Sequence, residues 1–135
     1  MRFGDGDDLV LKIEGRVIAD RVIYCASSAS RREGLLSLDR LERGEGILME
    51  MPGWRKGKKG LLTSVQMLGM RFPVAVAWLD GEGRIVHSRV ARPWGPYYAS
   101  PEPAWFVLEA HPDLIGDLAV GHTVRWEQGA APSGL

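Results

Sequence analysis

Only one of the 135 residues is a cysteine, Cys25. No disulfide can therefore close within the chain, and no site built from several cysteines can hold zinc or an iron–sulfur cluster. A lone thiol suits a reducing compartment, and the cytoplasm is the expected location. At the end of an apolar run, Cys25 reads better as a small buried hydrophobe than as a nucleophile. Net charge is missing too, since Lys+Arg and Asp+Glu number 17 each. That balance removes the long-range field that draws basic proteins to nucleic acid or anionic membranes. No segment is apolar for long enough to span a bilayer, and Met1 to Asp8 is acidic where a secretory leader would be basic and then apolar. The patterns of common chemistries are absent as well. No Gly-x-Ser-x-Gly elbow surrounds the serines. Gly4, Gly6, Gly81 and Gly83 lack the strand-to-helix setting of a nucleotide fingerprint, and His87, His111 and His122 lack zinc-ligand spacing. No metal and no cofactor is expected.

What is present is material for one core: 45% of the residues are hydrophobic, with 17 glycines and 8 prolines as punctuation. Leu9, Leu11 and Ile13 alternate with Val10 and Lys12, and Arg16 to Tyr24 follows Glu14-Gly15, which predicts an opening hairpin. Ser30 and Glu33 have capping-box spacing, Ser28 competes as N-cap, and Gly34 limits the helix to about two turns. Gly46 to Met51 reads as a strand, Pro52 to Gly60 as a basic loop, and Leu61 onward as its return. Val74 to Leu79 is apolar on both alternating faces and predicts a central, doubly covered strand. Asp80-Gly81-Glu82-Gly83 turns it into Arg84 to Val90. Four prolines confine Arg92 to Pro103 to a loop or an edge. Ala104 to Ala110 and Thr123 to Glu127 read as strands, with a short helix from His111 to Leu118 between them. The pattern predicts an all-β (mainly β) single domain over 9–127, a sandwich or partly open barrel with two short helices. A flexible N-terminus at 1–8 and a flexible tail at 128–135 flank it.

Taken in order, Arg32-Glu33-Gly34-Leu35-Leu36, Gly46-Ile47-Leu48, Gly69-Met70-Arg71-Phe72-Pro73, Leu79-Asp80, Gly83-Arg84-Ile85-Val86, Val107-Leu108-Glu109 and Gly121 resemble the bacterial and archaeal family catalogued as domain of unknown function 192 (DUF192). The resemblance covers roughly residues 10 to 127. It implies a small jelly-roll-like β-sandwich and no established activity. The chain departs from the family pattern where Gln66-Met67 stands in place of His-Thr, Ala75 in place of Asp, and Gly121-His122 in place of Gly-Asp. Trp54 to Lys59 resembles an insertion relative to the family.

Arg71 and Glu109 are charges beside apolar segments. Structurally such charges are held in ion pairs; functionally, a guanidinium can present its fork to a ligand carboxylate or phosphate. Trp94, Tyr97, Tyr98 and Trp105, near prolines, can stack on a flat or sugar-like ligand at low entropic cost, or lid one end of a sandwich. The ligand-binding candidates are thus Arg71, Trp94, Tyr97, Tyr98 and Glu109. Trp54, Arg55, Lys56, Lys58 and Lys59 are weaker candidates for anion contact, or a solvated loop. No catalytic residue is assigned. The preferred reading is a non-catalytic module that binds a small molecule or a protein, in preference to nucleic acid, and with no membrane partner. One alternative is a hydrolase or isomerase using Glu109 with His87 or His122 as acid and base; another is a homo-oligomer formed through an uncovered sheet face or edge.

Overall fold

The computed structural model describes residues 3–54, 63–95 and 97–129. The opening hairpin joins β1 (Asp8–Ile13) to β2 (Arg16–Cys25) through Glu14 and Gly15, both at positive φ (52° and 77°). Two such residues give the turn whose twist matches paired strands. A crossover carrying helix α1 (Ser28–Glu33) then returns the chain to β3 (Glu45–Glu50), which pairs with β2 in parallel. The remaining strands are β4 (Ser64–Gln66), β5 (Val74–Leu79), β6 (Ile85–Ala91), β7 (Tyr97–Ala99), β8 (Phe106–Ala110) and β9 (Val124–Gln128).

Seven strands form one mixed sheet in the order β6-β5-β8-β3-β2-β1-β9, and β4 and β7 form a separate ribbon. The protein is thus mainly β, as the punctuation of the sequence predicts. The large sheet curls without closing into a barrel. At one end its edges approach: Ile85 N–H donates to His122 O at 2.8 Å and Val124 N–H to Gly83 O at 2.9 Å. The curl encloses one core to which all seven strands contribute, among them Leu11, Val22, Leu48, Leu79, Ile85, Phe106 and Val124. A second core lies on the outer face. There Ile47, Met49, Val76, Trp78 and Val107 meet Leu35, Leu41, Val65, Met67 and Met70. β5 is buried at every position, as its apolar run predicts.

Two local expectations are corrected. The capping box joins Ser27 to Ser30, not Ser30 to Glu33, and the N-cap lies one position before Ser28: the Ser27 hydroxyl accepts from Ser30 N–H at 3.0 Å while the Ser30 hydroxyl accepts from Ser27 N–H at 3.3 Å. A residue distant in sequence selects this frame: the Asp5 carboxylate accepts from Ala26 N–H at 2.7 Å and from the Ser30 hydroxyl at 2.6 Å. These bonds, the Ser30 hydroxyl foremost, hold Asp5 down at a pKa of about 2. The expected helix from His111 to Leu118 is a 3-10 turn, Pro112–Gly116, capped by His111 Nδ1, which accepts from Asp113 N–H at 3.1 Å. The proline-rich stretch is loop and edge, as its prolines predict: β7 pairs only with β4, in the two-stranded ribbon. The tail residues 130–135 lie outside the described residues.

The cap gives an expected stability result. Ser27→Ala should lose about 1 kcal/mol in urea denaturation, the usual worth of an N-cap hydroxyl, while Ser28→Ala should be close to neutral. Equal losses would show that the frame has been misplaced.

Candidate functional site

Strand alternation decides which way β8 points its side chains. Phe106, Leu108 and Ala110 face the curled core, so Val107 and Glu109 face outward. Glu109 pairs in register with Val76 of β5 and Ile47 of β3, which places its carboxyl in the middle of the outer apolar layer. It is 7% exposed. No described residue donates a hydrogen bond to it or forms an ion pair with it. Burial alone pushes its pKa up to about 7, because a low-dielectric setting penalises the charged form.

The carboxyl is not sealed in. A hollow of about 290 Å³ lies over it, bounded by α1 and the following turn on one side and by β4 on the other. Met49, Val65, Met70 and Leu35 supply apolar wall, whereas Arg31, Arg32, Glu33, Ser64 and Gln66 supply polar groups. A second hollow, about 350 Å³, shares Arg31, Arg32, Met49, Ser64 and Val65 with the first. Arg31 is fixed in place, since its Nη1 donates to Ala26 O at 2.7 Å and Glu50 O at 3.0 Å. Arg32 is exposed and meets no carboxylate among the described residues. Gln66 folds back so that its Oε1 accepts from Leu68 N–H at 3.1 Å, which leaves its amide N–H groups to face other partners.

The structure separates the other candidates from Glu109. Arg71 is at the surface in an ion pair with exposed Asp39 and does not line the hollow. Trp94 and Tyr97 are 66% and 69% exposed. Trp94 holds φ at 61° while its N–H donates to Met67 O at 3.0 Å. Tyr98 is half-buried against the outer core; its hydroxyl accepts from Arg92 N–H at 3.1 Å and its ring lies 4.6 Å beneath the Arg89 guanidinium. Trp105 belongs elsewhere, packed at 5.4 Å against Trp54. Trp54 in turn meets Phe106 at 4.9 Å, and the rest of the weak anion-contact set, Arg55, Lys56, Lys58 and Lys59, lies outside the described residues.

The acid–base pairing of Glu109 with a histidine is not assembled. His87 packs its ring at 5.2 Å against Trp78, and His122 is exposed in the turn before β9; neither lines the hollow. Among the described residues no group of three or more His, Cys, Asp and Glu side chains is placed to hold a metal ion. Cys25 is buried and its thiol is pushed up to about 11, mainly by burial. Such a thiol is inert at neutral pH.

Arg31, Arg32, Gln66 and Met70 were not singled out as site residues by sequence. A signal was present for some of them: Arg32 to Leu36 and Gly69 to Pro73 carry the family resemblance, and Gln66 departs from it. Only the crossover and the ribbon bring these separate segments over Glu109.

Fold and site together define a mainly β domain, built on a seven-stranded mixed sheet, with a buried carboxyl beneath a hollow on its outer face. The model of the DUF192 family, described as Uncharacterized ACR, matches residues 9–126, and the chain belongs to that family. No curated protein matches it. Among solved structures, a protein of unknown function from Novosphingobium aromaticivorans DSM 12444 is similar at 18% identity and TM-score 0.72, over 88% of this chain and 84% of that one. A protein from Sinorhizobium meliloti 1021, described as a candidate transcription regulator, is similar at 16% identity and TM-score 0.76, over 93% and 98%. These likenesses establish the shared fold. No helix among the described residues is long and apolar enough to cross a membrane.

Proposed function

We propose that this protein is a non-catalytic binding module whose small ligand occupies the hollow over Glu109. The observation that carries this reading is a carboxyl buried to 7% exposure with no partner among the described residues, open to a cavity of ligand size. A buried polar group left without a partner is costly, so a fold that keeps one gains from a ligand that satisfies it. Apolar walls with a few convergent polar groups are the usual make-up of such sites. The solitary buried Cys25 supports a reducing compartment, the cytoplasm, as the place of action.

The exposure of Trp94 and Tyr97 favours a second reading, a contact surface for a protein partner or a second copy of the chain, in which these rings are the anchors. Arg71, exposed beside Asp39, would contribute only a polar contact at its rim.

Backbone amide shifts separate the two. Alkylamines, carboxylates, amino acids, nucleosides and sugars, each titrated into labelled protein, should include a class that shifts amides at 31–36, 64–66, 70 and 109 together. No shift there from any class overturns the cavity reading. A solution mass that rises with concentration, and falls back in Trp94→Ala, supports the surface as a self-contact; a constant monomer mass removes that version of it.

A further inference from the structure

We propose that the hollow selects an ω-amino acid: a ligand whose terminal ammonium sits on Glu109, whose aliphatic stem lies along Met49, Val65 and Met70, and whose acid group reaches Arg32. This inference rests on the cavity reading and adds the chemistry of its occupant. The deep end offers a carboxyl with no donor from any described residue. A nitrogen cation satisfies it most strongly, because hydrogen bonds between ionised groups are shorter and stronger than neutral ones. Met49, Val65 and Met70 give the wall an apolar stretch beside the polar Ser64 and Gln66, and that stretch suits a run of methylenes. At the mouth stand two guanidiniums, Arg31 and Arg32, against the single carboxylate of Glu33. Arg31 is committed to the carbonyls of Ala26 and Glu50, whereas Arg32 is free of carboxylates among the described residues. An excess of positive charge there disfavours a diamine, whose second ammonium would face it, and favours a terminal acid. The floor and the mouth thus ask for opposite charges.

Matched probes test the assignment by calorimetry, with amide shifts to locate the site. ε-Aminocaproate should bind in the hollow; hexylamine, which keeps the ammonium and stem, should bind there a few-fold more weakly; caproate, which lacks the ammonium, should give no shift at 64–66 or 109. Glu109→Gln, which keeps the shape and removes the charge, should weaken ε-aminocaproate by about tenfold or more. Arg32→Gln should weaken it by about two- to fivefold and leave hexylamine unchanged, the scale of a partly exposed pair. Caproate equal to ε-aminocaproate, or unchanged affinity in Glu109→Gln, overturns the inference. If ε-aminocaproate fails while another chemical class shifts the same amides, the occupant is wrongly assigned and the cavity reading stands. If no class shifts them, both fall.

Discussion

Glu109→Gln is expected to stabilise the protein by about 3 kcal/mol at about pH 8 and to leave it unchanged at about pH 4, an unusual result for the loss of a buried charge. The sign follows from linkage. Burial raises the carboxyl from its usual 4.5 to about 7, so the folded state holds this proton more tightly than the unfolded chain. Below pH 4.5 both states are protonated and the group contributes no penalty. As pH rises from 4.5 to 7 the unfolded chain releases its proton first, and stability falls by about 1.4 kcal/mol per pH unit until the folded state ionises too. An amide of the same shape does not ionise and escapes that loss. Urea denaturation of the two proteins from acid to alkaline pH measures it. Parallel profiles would mean that Glu109 is paired in solution, and would remove the basis of the cavity reading as well. A stabilising substitution at a buried polar position is what the trade between stability and a functional site leads one to expect.

Phe106→Ala should cost about 4 kcal/mol, the largest loss expected from a single truncation of the core inside the curl, where it is the largest fully buried side chain. The ring is 2% exposed and lies 4.9 Å from both the Trp54 and Trp126 rings, each at 66°. Those edge-on contacts add to the burial of the ring itself. Trp54 follows β3 and Trp126 belongs to the edge strand β9, so Phe106 ties three distant parts of the chain into one end of the curled core. Its removal leaves a cavity that two stiff indoles cannot easily collapse into. The loss should appear as a lowered urea midpoint together with a change in tryptophan emission. Trp94→Ala is the control: at 66% exposure it should fall within about 0.5 kcal/mol of the parent. A loss below about 1 kcal/mol for Phe106→Ala would show that the three rings are not packed as described.

Much of the strand pattern was legible in the residues because alternation and turn chemistry are local. Glu14-Gly15 and Asp80 to Gly83 marked hairpins through residues suited to tight turns, and the apolar run Val74 to Leu79 announced a strand covered on both faces. The helix frame was not legible, since Ser27, Ser28 and Ser30 are nearly equivalent as caps until Asp5 arrives from the far side of β2. The parallel pairing of β2 with β3 was also hidden: side-chain period is the same for parallel and antiparallel strands, and only the path of the crossover distinguishes them.

The candidate site divides along the same line. Glu109 stood out as an acid within an apolar strand, a local contrast any reading can see. Arg71 stood out for the same reason, yet the sequence had no means of telling that its side chain leaves the apolar layer for Asp39. Composition and periodicity by themselves determined a mainly β chain with one buried thiol, no net charge and an acid set among hydrophobes. Tertiary structure alone decided that this acid is buried without a partner among the described residues, and that a helix turn and a two-stranded ribbon bring Arg32 and Gln66 over it. Burial and convergence depend on contacts between residues far apart in the chain, which no local spacing encodes.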